Sequence, residues 1–208
     1  MSETRHTPVV PLEAGAGPEN PPCPACGEPL FGWLSTQPGL GAPVSRCESC
    51  GLGVIGADAG PVEALHELDR LGDMAPRIAN RASFAASLGS AGWAGLEPGG
   101  RYLFTLESAR RLVARRDQVV KSRRWSPLAG LASTWQTLLN SVTFGHNVAL
   151  GAFRRAKSVP AAKPWQRRID ALASIVLAIP ALVIALPIEL AGGLVGRGSV
   201  ITLRLEPL

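Results

Sequence analysis

Cys23, Cys26, Cys47 and Cys50 are the four cysteines of this 208-residue chain, arranged as two CxxC pairs with twenty residues between them. A CxxC turn presents two thiolates to one side of an ion, and two such turns complete the tetrahedron that zinc prefers. The C-x2-C-x20-C-x2-C spacing therefore predicts a zinc ribbon ligated by Cys23, Cys26, Cys47 and Cys50. Redox dithiols or disulfides are the competing use of paired cysteines. Each pair is followed by glycine (Gly27, Gly51), which can take the positive φ that curls a chain around the sulfurs, and this favours metal. Four thiolates leave no open coordination position, so the expected Zn2+ is structural, substituting for a core that so few residues cannot build.

Stepping outward, Leu30–Ser35 with Phe31 and Trp33, the turn "QPGLG" and Val44–Arg46 supply the hairpin that carries the two knuckles. From Pro21 to Gly60 the only charges are Glu28, Arg46, Glu48 and Asp58. A surface that tracks phosphates needs clustered Lys and Arg, so the ribbon is expected to be a folding or protein-contact module.

The net charge of +5 conceals an asymmetry. Residues 1–100 carry 5 basic against 11 acidic side chains, and residues 101–168 carry 14 against 2. An anionic partner is thus expected for the middle segment alone. The basic residues come as doublets, Arg110-Arg111, Arg115-Arg116, Arg123-Arg124, Arg154-Arg155 and Arg167-Arg168. The first two are explained by a solvated helix face. The later ones precede an apolar run, which favours an anionic lipid surface over nucleic acid; no interleaved aromatics for base stacking accompany them. His66 and His146 stand without ligand partners and are read as surface or cap residues.

That apolar run, Ala171 to Ile188, is eighteen residues without a charge, and after Glu189, which near one end of a membrane segment is expected to reach the headgroups, it continues to Gly196. Eighteen helical residues span about 27 Å, close to a bilayer's hydrocarbon core. Pro180 and Pro187 are more easily tolerated in lipid than in a soluble helix. Six basic residues, Arg154, Arg155, Lys157, Lys163, Arg167 and Arg168, precede the run and only Arg197 and Arg204 follow it, placing its N-terminal side in the cytoplasm. Against a simple span, "SVITLRLEP" at 199–207 alternates like a half-buried strand. Spanning, lying in the interface and packing in a soluble core all stay open.

Between these features, Pro61–Leu71 reads as a helix with proline in its first turn, and residues 75–90 as a second one. Tyr102–Phe104 predicts a strand and Thr105 a helix N-cap. Leu106, Ala109, Leu112 and Val113 form one apolar helix face. Val119–Val120 opens a strand. Ser126-Pro127 opens a longer helix whose Leu128, Leu131, Trp135, Leu138, Leu139 and Val142 share a face. The fold class expected is small α+β: an N-terminal zinc-ribbon hairpin, a mostly helical segment, a long C-terminal hydrophobic helix and a short terminal strand. The divisions are a disordered arm at 1–22, the ribbon at 23–56, a linker with short helices at 57–100, a basic segment at 101–168, and the hydrophobic helix and strand at 169–208. The arm has no secretory core, so the thiols are expected in a reducing cytoplasm.

"CPACGEP…SRCESCGLGV", "LEPGGRYLFTLESARRLVARRDQVV" and "IALPIELAGGLVGRGSVITLRLEP" together resemble bacterial class I S-adenosylmethionine-dependent methyltransferases with an N-terminal zinc ribbon, over about 23–56 and 95–208. The resemblance implies an "LxPGG" turn, a "TPES"-type helix with Leu106 in place of proline, and a final apolar helix, "GRG" turn and strand. It does not carry over a cofactor site. No apolar strand here runs into a glycine-rich loop, and residues 57–94 are too few for the missing parallel strands. The chain reads as such an enzyme without its cofactor-binding core, with no catalytic residue assigned. No HExxH, GxSxG or P-loop points to another enzyme. Three functional expectations follow, in this order: a non-catalytic zinc-ribbon protein at the cytoplasmic face of a cell membrane, touching anionic lipid and offering its ribbon to a protein partner; a degenerate or accessory methyltransferase relative; and a nucleic-acid-binding ribbon protein.

Overall fold

The computed structural model describes residues 20–35, 41–56, 60–154 and 158–208. Residues 1–19 of the arm predicted to be disordered and most of the "QPGLG" turn lie outside them, as do Arg155 and Lys157. The chain is a small α+β protein with two antiparallel sheets and, among the described residues, seven α-helices.

The first sheet is the ribbon. β1 (Leu30–Leu34) pairs with β2 (Val44–Cys47), placing Leu30 opposite Cys47, and β2 pairs with β3 (Gly53–Ile55). The chain then turns into α1 (Pro61–Arg70), which begins with proline as expected and buries Ala64, Leu65 and Leu68. The predicted helix over 75–90 resolves differently. Arg77–Ala79 is a strand, β4, and only Phe84–Gly89 is helical, α2, capped by the Ser83 hydroxyl, which accepts from the Ala86 amide. A partner far along the chain claims the β4 backbone, and local helix propensity cannot anticipate that.

The strand expected near Tyr102 forms as β5 (Tyr102–Leu103) and adds to the ribbon sheet beside β3. The sheet thus reaches past the sequence-predicted ribbon boundary at residue 56. Thr105 caps α3 (Leu106–Ala114) in a reciprocal capping box with Ser108. Ala109, Leu112 and Val113 are buried in the main core, with Leu106 at its edge. β6 (Gln118–Trp125) follows, and then α4 (Pro127–Asn140) and α5 (Val148–Arg154).

The hydrophobic run is two helices, not the single long one expected. α6 (Pro164–Val176) and α7 (Ala178–Leu194) are bent by 61° at Leu177. Pro180 explains where the break falls. In a continuous helix its ring would clash with the carbonyl of Val176, and it could donate no hydrogen bond there. With the helix restarted at Ala178, Pro180 lies in a first turn, where an N–H has no intrahelical acceptor anyway. No single helix among the described residues is long and apolar enough to cross a membrane; only this bent pair passes by length and composition.

The last strand, β7 (Val200–Pro207), is the centre of the second sheet, order β4-β7-β6, and antiparallel to both neighbours. Ile201, Leu203 and Leu205 alternate into the main core, as the sequence pattern requires. The half-buried strand expected at 199–207 thus ties the second sheet to the main core.

Candidate functional site

The four cysteine sulfurs lie within 4.8 Å of one another. Cys23 Sγ is 3.6 Å from Cys50 Sγ, and Cys26 Sγ is 3.4 Å from Cys47 Sγ. A disulfide would hold them at about 2.05 Å, whereas a tetrahedron with zinc–sulfur bonds of about 2.3 Å has edges of about 3.8 Å. The donor set therefore fits a metal ion. Cys23, Cys47 and Cys50 are buried and Cys26 is half-buried.

Backbone geometry builds each knuckle. The Gly27 amide donates to the Cys23 carbonyl at 2.8 Å and the Gly51 amide to the Cys47 carbonyl at 3.0 Å. Both glycines have positive φ, 82° and 75°. Gly51 has a second reason to lack a side chain, because a Cβ there would come within 2.8 Å of Thr105 Cγ2. Electrostatics in the cluster are uneven. A hydrogen bond from Cys50 favours the Cys23 thiolate and brings it down to about 5, while the same bond pushes Cys50 up and burial pushes Cys26 up. Such a cluster retains protons until a cation displaces them.

A second arrangement is built on α7 and α4. α7 buries Ala181, Ala185, Glu189 and Gly192 against the body and turns Ile179, Val183, Ile184 and Leu194 to the outside. Leu194 is 86% exposed and Ile179 73%. On α6, Leu172, Ile175 and Val176 extend the exposed surface, and Trp165 near its start packs edge-on to Phe144 at 5.5 Å. α4 shares this inversion. The expected apolar face has Leu139 buried, but Leu128 and Val142 are exposed, and Gly130, Thr134, Gln136, Thr137 and Asn140 are inside. Small and polar side chains lie between the helices together with Trp135, Leu138, Leu139 and Leu177, while Leu128, Ile179, Val183, Ile184 and Leu194 face outward.

Glu189 accounts for the polar interior. Sequence reasoning placed it at lipid headgroups, yet it is 3% exposed. Its carboxylate accepts from Trp125 Nε1 at 2.7 Å, Thr134 Oγ1 at 2.7 Å, the Ser199 amide at 2.9 Å and Ser199 Oγ at 2.6 Å. Four donors saturate its lone pairs, so it is a structural lock joining α7, α4, β6 and the start of β7. Asp170, also buried, accepts from the Phe144 and Gly145 amides at 2.8 and 2.9 Å and ties α6 to that turn.

His146 is likewise more enclosed than expected. Its backbone bridges to Val159, its Nδ1 is 3.3 Å from Asn140 Nδ2, and burial holds its pKa below the usual value. His66 remains on the exterior of α1. Of the basic doublets, Arg111 pairs with Glu107 and Arg116 with Asp69, and outside them Lys121 pairs with Glu206, all at the surface. Arg167 and Arg168 lie at the start of α6, beside Lys163 and Trp165.

No protein-family model, curated protein or solved structure matches this chain.

Proposed function

We propose that this chain is a non-catalytic zinc-ribbon protein that lies on the cytoplasmic surface of a membrane, with α6 and α7 embedded in the interface. The observation that carries this reading is the inverted face of α7, with Ala181, Ala185 and Gly192 inside and Ile179, Val183 and Leu194 outside. In water, apolar surface drives helices together through their large side chains. In lipid that force is missing, and helices pack through small residues and polar bonds. The α4–α7 contact sets Gly130, alanines and the Glu189 network beside Trp135, Leu138 and Leu139, and its small and polar part follows the second rule. The 61° bend supports an in-plane wedge over a straight span. Lys163, Trp165, Arg167 and Arg168 supply the cationic and aromatic rim that suits an anionic headgroup layer.

In this reading zinc is held by Cys23, Cys26, Cys47 and Cys50, and its role is to fix the ribbon against α3. The test is sedimentation of the purified full chain with vesicles of phosphatidylcholine, with and without anionic lipid. Binding to both, stronger to the anionic ones and stripped by alkaline carbonate, supports the wedge. A chain that stays in the supernatant with both refutes it, and resistance to carbonate favours a span.

A further inference from the structure

Two cavities meet at Ser87 and Arg197. One, about 430 Å³, is lined by Trp33 and by three arginines from separate elements: Arg46 of β2, Arg81 just after β4, and Arg197 between α7 and β7. The other, about 580 Å³, is an open apolar groove between α2 and α7, walled by Phe84, Leu88, Pro187, Ile188 and Ala191. No carboxylate lines either one.

Arg81 and Arg197 are held in place by uncharged groups. Arg81 stacks over the Trp33 ring at 4.3 Å and donates to the Gly51 carbonyl, and its Nε is buried without an acceptor. Arg197 stacks over Phe84 at 4.7 Å and donates to the Ala82 carbonyl and Ser87 Oγ. Arg46 meets Glu48 at 3.4 Å at the exposed rim. Among the described residues neither Arg81 nor Arg197 has a carboxylate within ion-pair distance. Burial, and after it the charge of Arg46, disfavours the Arg81 cation. Three guanidinium groups convergent on one cavity, two of them braced by aromatic faces and without a carboxylate partner, suit the several oxygens of a phosphate.

We propose that this compound cavity binds a phosphate-headed lipid, with the phosphate among Arg46, Arg81 and Arg197 and a hydrocarbon chain along the groove beside α7. The groove argues for the lipid over free phosphate, because its apolar walls run from Ser87 and Arg197, which line both cavities, along the α7 surface. The inference rests on the membrane reading for its source of ligand, but the site can be tested without a membrane. Dihexanoyl phosphatidate below its micelle concentration is titrated into the full zinc-loaded chain by calorimetry, beside inorganic phosphate and dihexanoyl phosphatidylcholine.

Saturable one-to-one binding of the phosphatidate is expected, at least tenfold tighter than either comparison compound. Arg197→Gln and Arg46→Gln should each weaken it about tenfold, with metal content and circular dichroism like the parent. Arg81 is left intact because it braces Gly51 beside the metal ligands. Absent saturation, equal binding by both variants, or phosphate bound as tightly as phosphatidate would each overturn the assignment. A positive titration together with failed vesicle sedimentation would retain the lipid site while refuting the embedded wedge.

Discussion

Thr105 Oγ1 donates to the Cys50 carbonyl at 2.6 Å, so the residue that caps α3 also fastens the second cysteine knuckle. Fifty-five residues separate the two. The same hydroxyl accepts from the Ser108 amide at 3.0 Å, which makes one side chain responsible for a helix start and for the ribbon's seat. Thr105→Ala is expected to lower unfolding free energy by about 1–2 kcal/mol, as loss of an N-cap does. Thr105→Ser should recover most of it. Urea unfolding of the metal-loaded proteins checks both values, and an alanine variant as stable as the parent would refute the shared role.

Metal content is the second expectation. One zinc per chain should be found after purification under reducing conditions, and Cys47→Ser should lose it. Because burial raises the Cys26 thiol and the hydrogen bond to Cys23 raises that of Cys50, metal uptake must release protons. Zinc affinity should therefore rise with pH between about 6 and 8, the range in which thiols resist deprotonation without metal. A pH-independent affinity would contradict a four-thiolate site.

Removing the Glu189 carboxylate strands four donors. Glu189→Ala is expected to cost about 2–4 kcal/mol through the unpaired polar groups and the cavity left behind. Gly130→Ala tests the same lock from the other side, because a Cβ there would collide with the Glu189 carboxylate. Both should lower the denaturation midpoint while leaving zinc content intact. Loss of metal in either variant would mean that the two halves are more tightly coupled than their separate cores indicate.

The outer face of α7 can be altered without touching its packing. Ile179→Ser, Val183→Ser and Leu194→Ser combined should weaken vesicle binding at least tenfold, since each exposed aliphatic side chain gains about 1 kcal/mol or more on leaving water. Stability in solution should change little. Unaltered sedimentation with vesicles would remove the surface from the membrane contact.

His146 gives the stability a pH dependence of definite sign. Its folded pKa lies below the usual value because burial disfavours the cation. The unfolded chain therefore binds a proton first as pH falls, and stability is full above about 6.5 and declines below it, by up to about 1.4 kcal/mol per pH unit. His146→Gln should flatten the profile between pH 7.5 and 5.5. Parallel profiles for parent and variant would show that the ring titrates as if exposed.

Local patterns legible in the chain account for the ribbon and its neighbours. The cysteine spacing, glycines at the two knuckles, Pro61, the Thr105 cap and the periodicity of Ala109, Leu112 and Val113 each act within a few residues, and each appears where expected. The apolar run was visible too, and Pro180 marks its break by a steric rule that operates over one turn. Tertiary structure decided the rest. β4 was read as helix because only pairing with β7, over a hundred residues away, makes it a strand. Glu189 looked like a headgroup contact because its four donors come from three distant elements. The arginines around Trp33 likewise share no sequence spacing. Short-range sterics and hydrogen bonding can be read from neighbours in sequence, whereas long-range pairing depends on which groups the completed fold brings together.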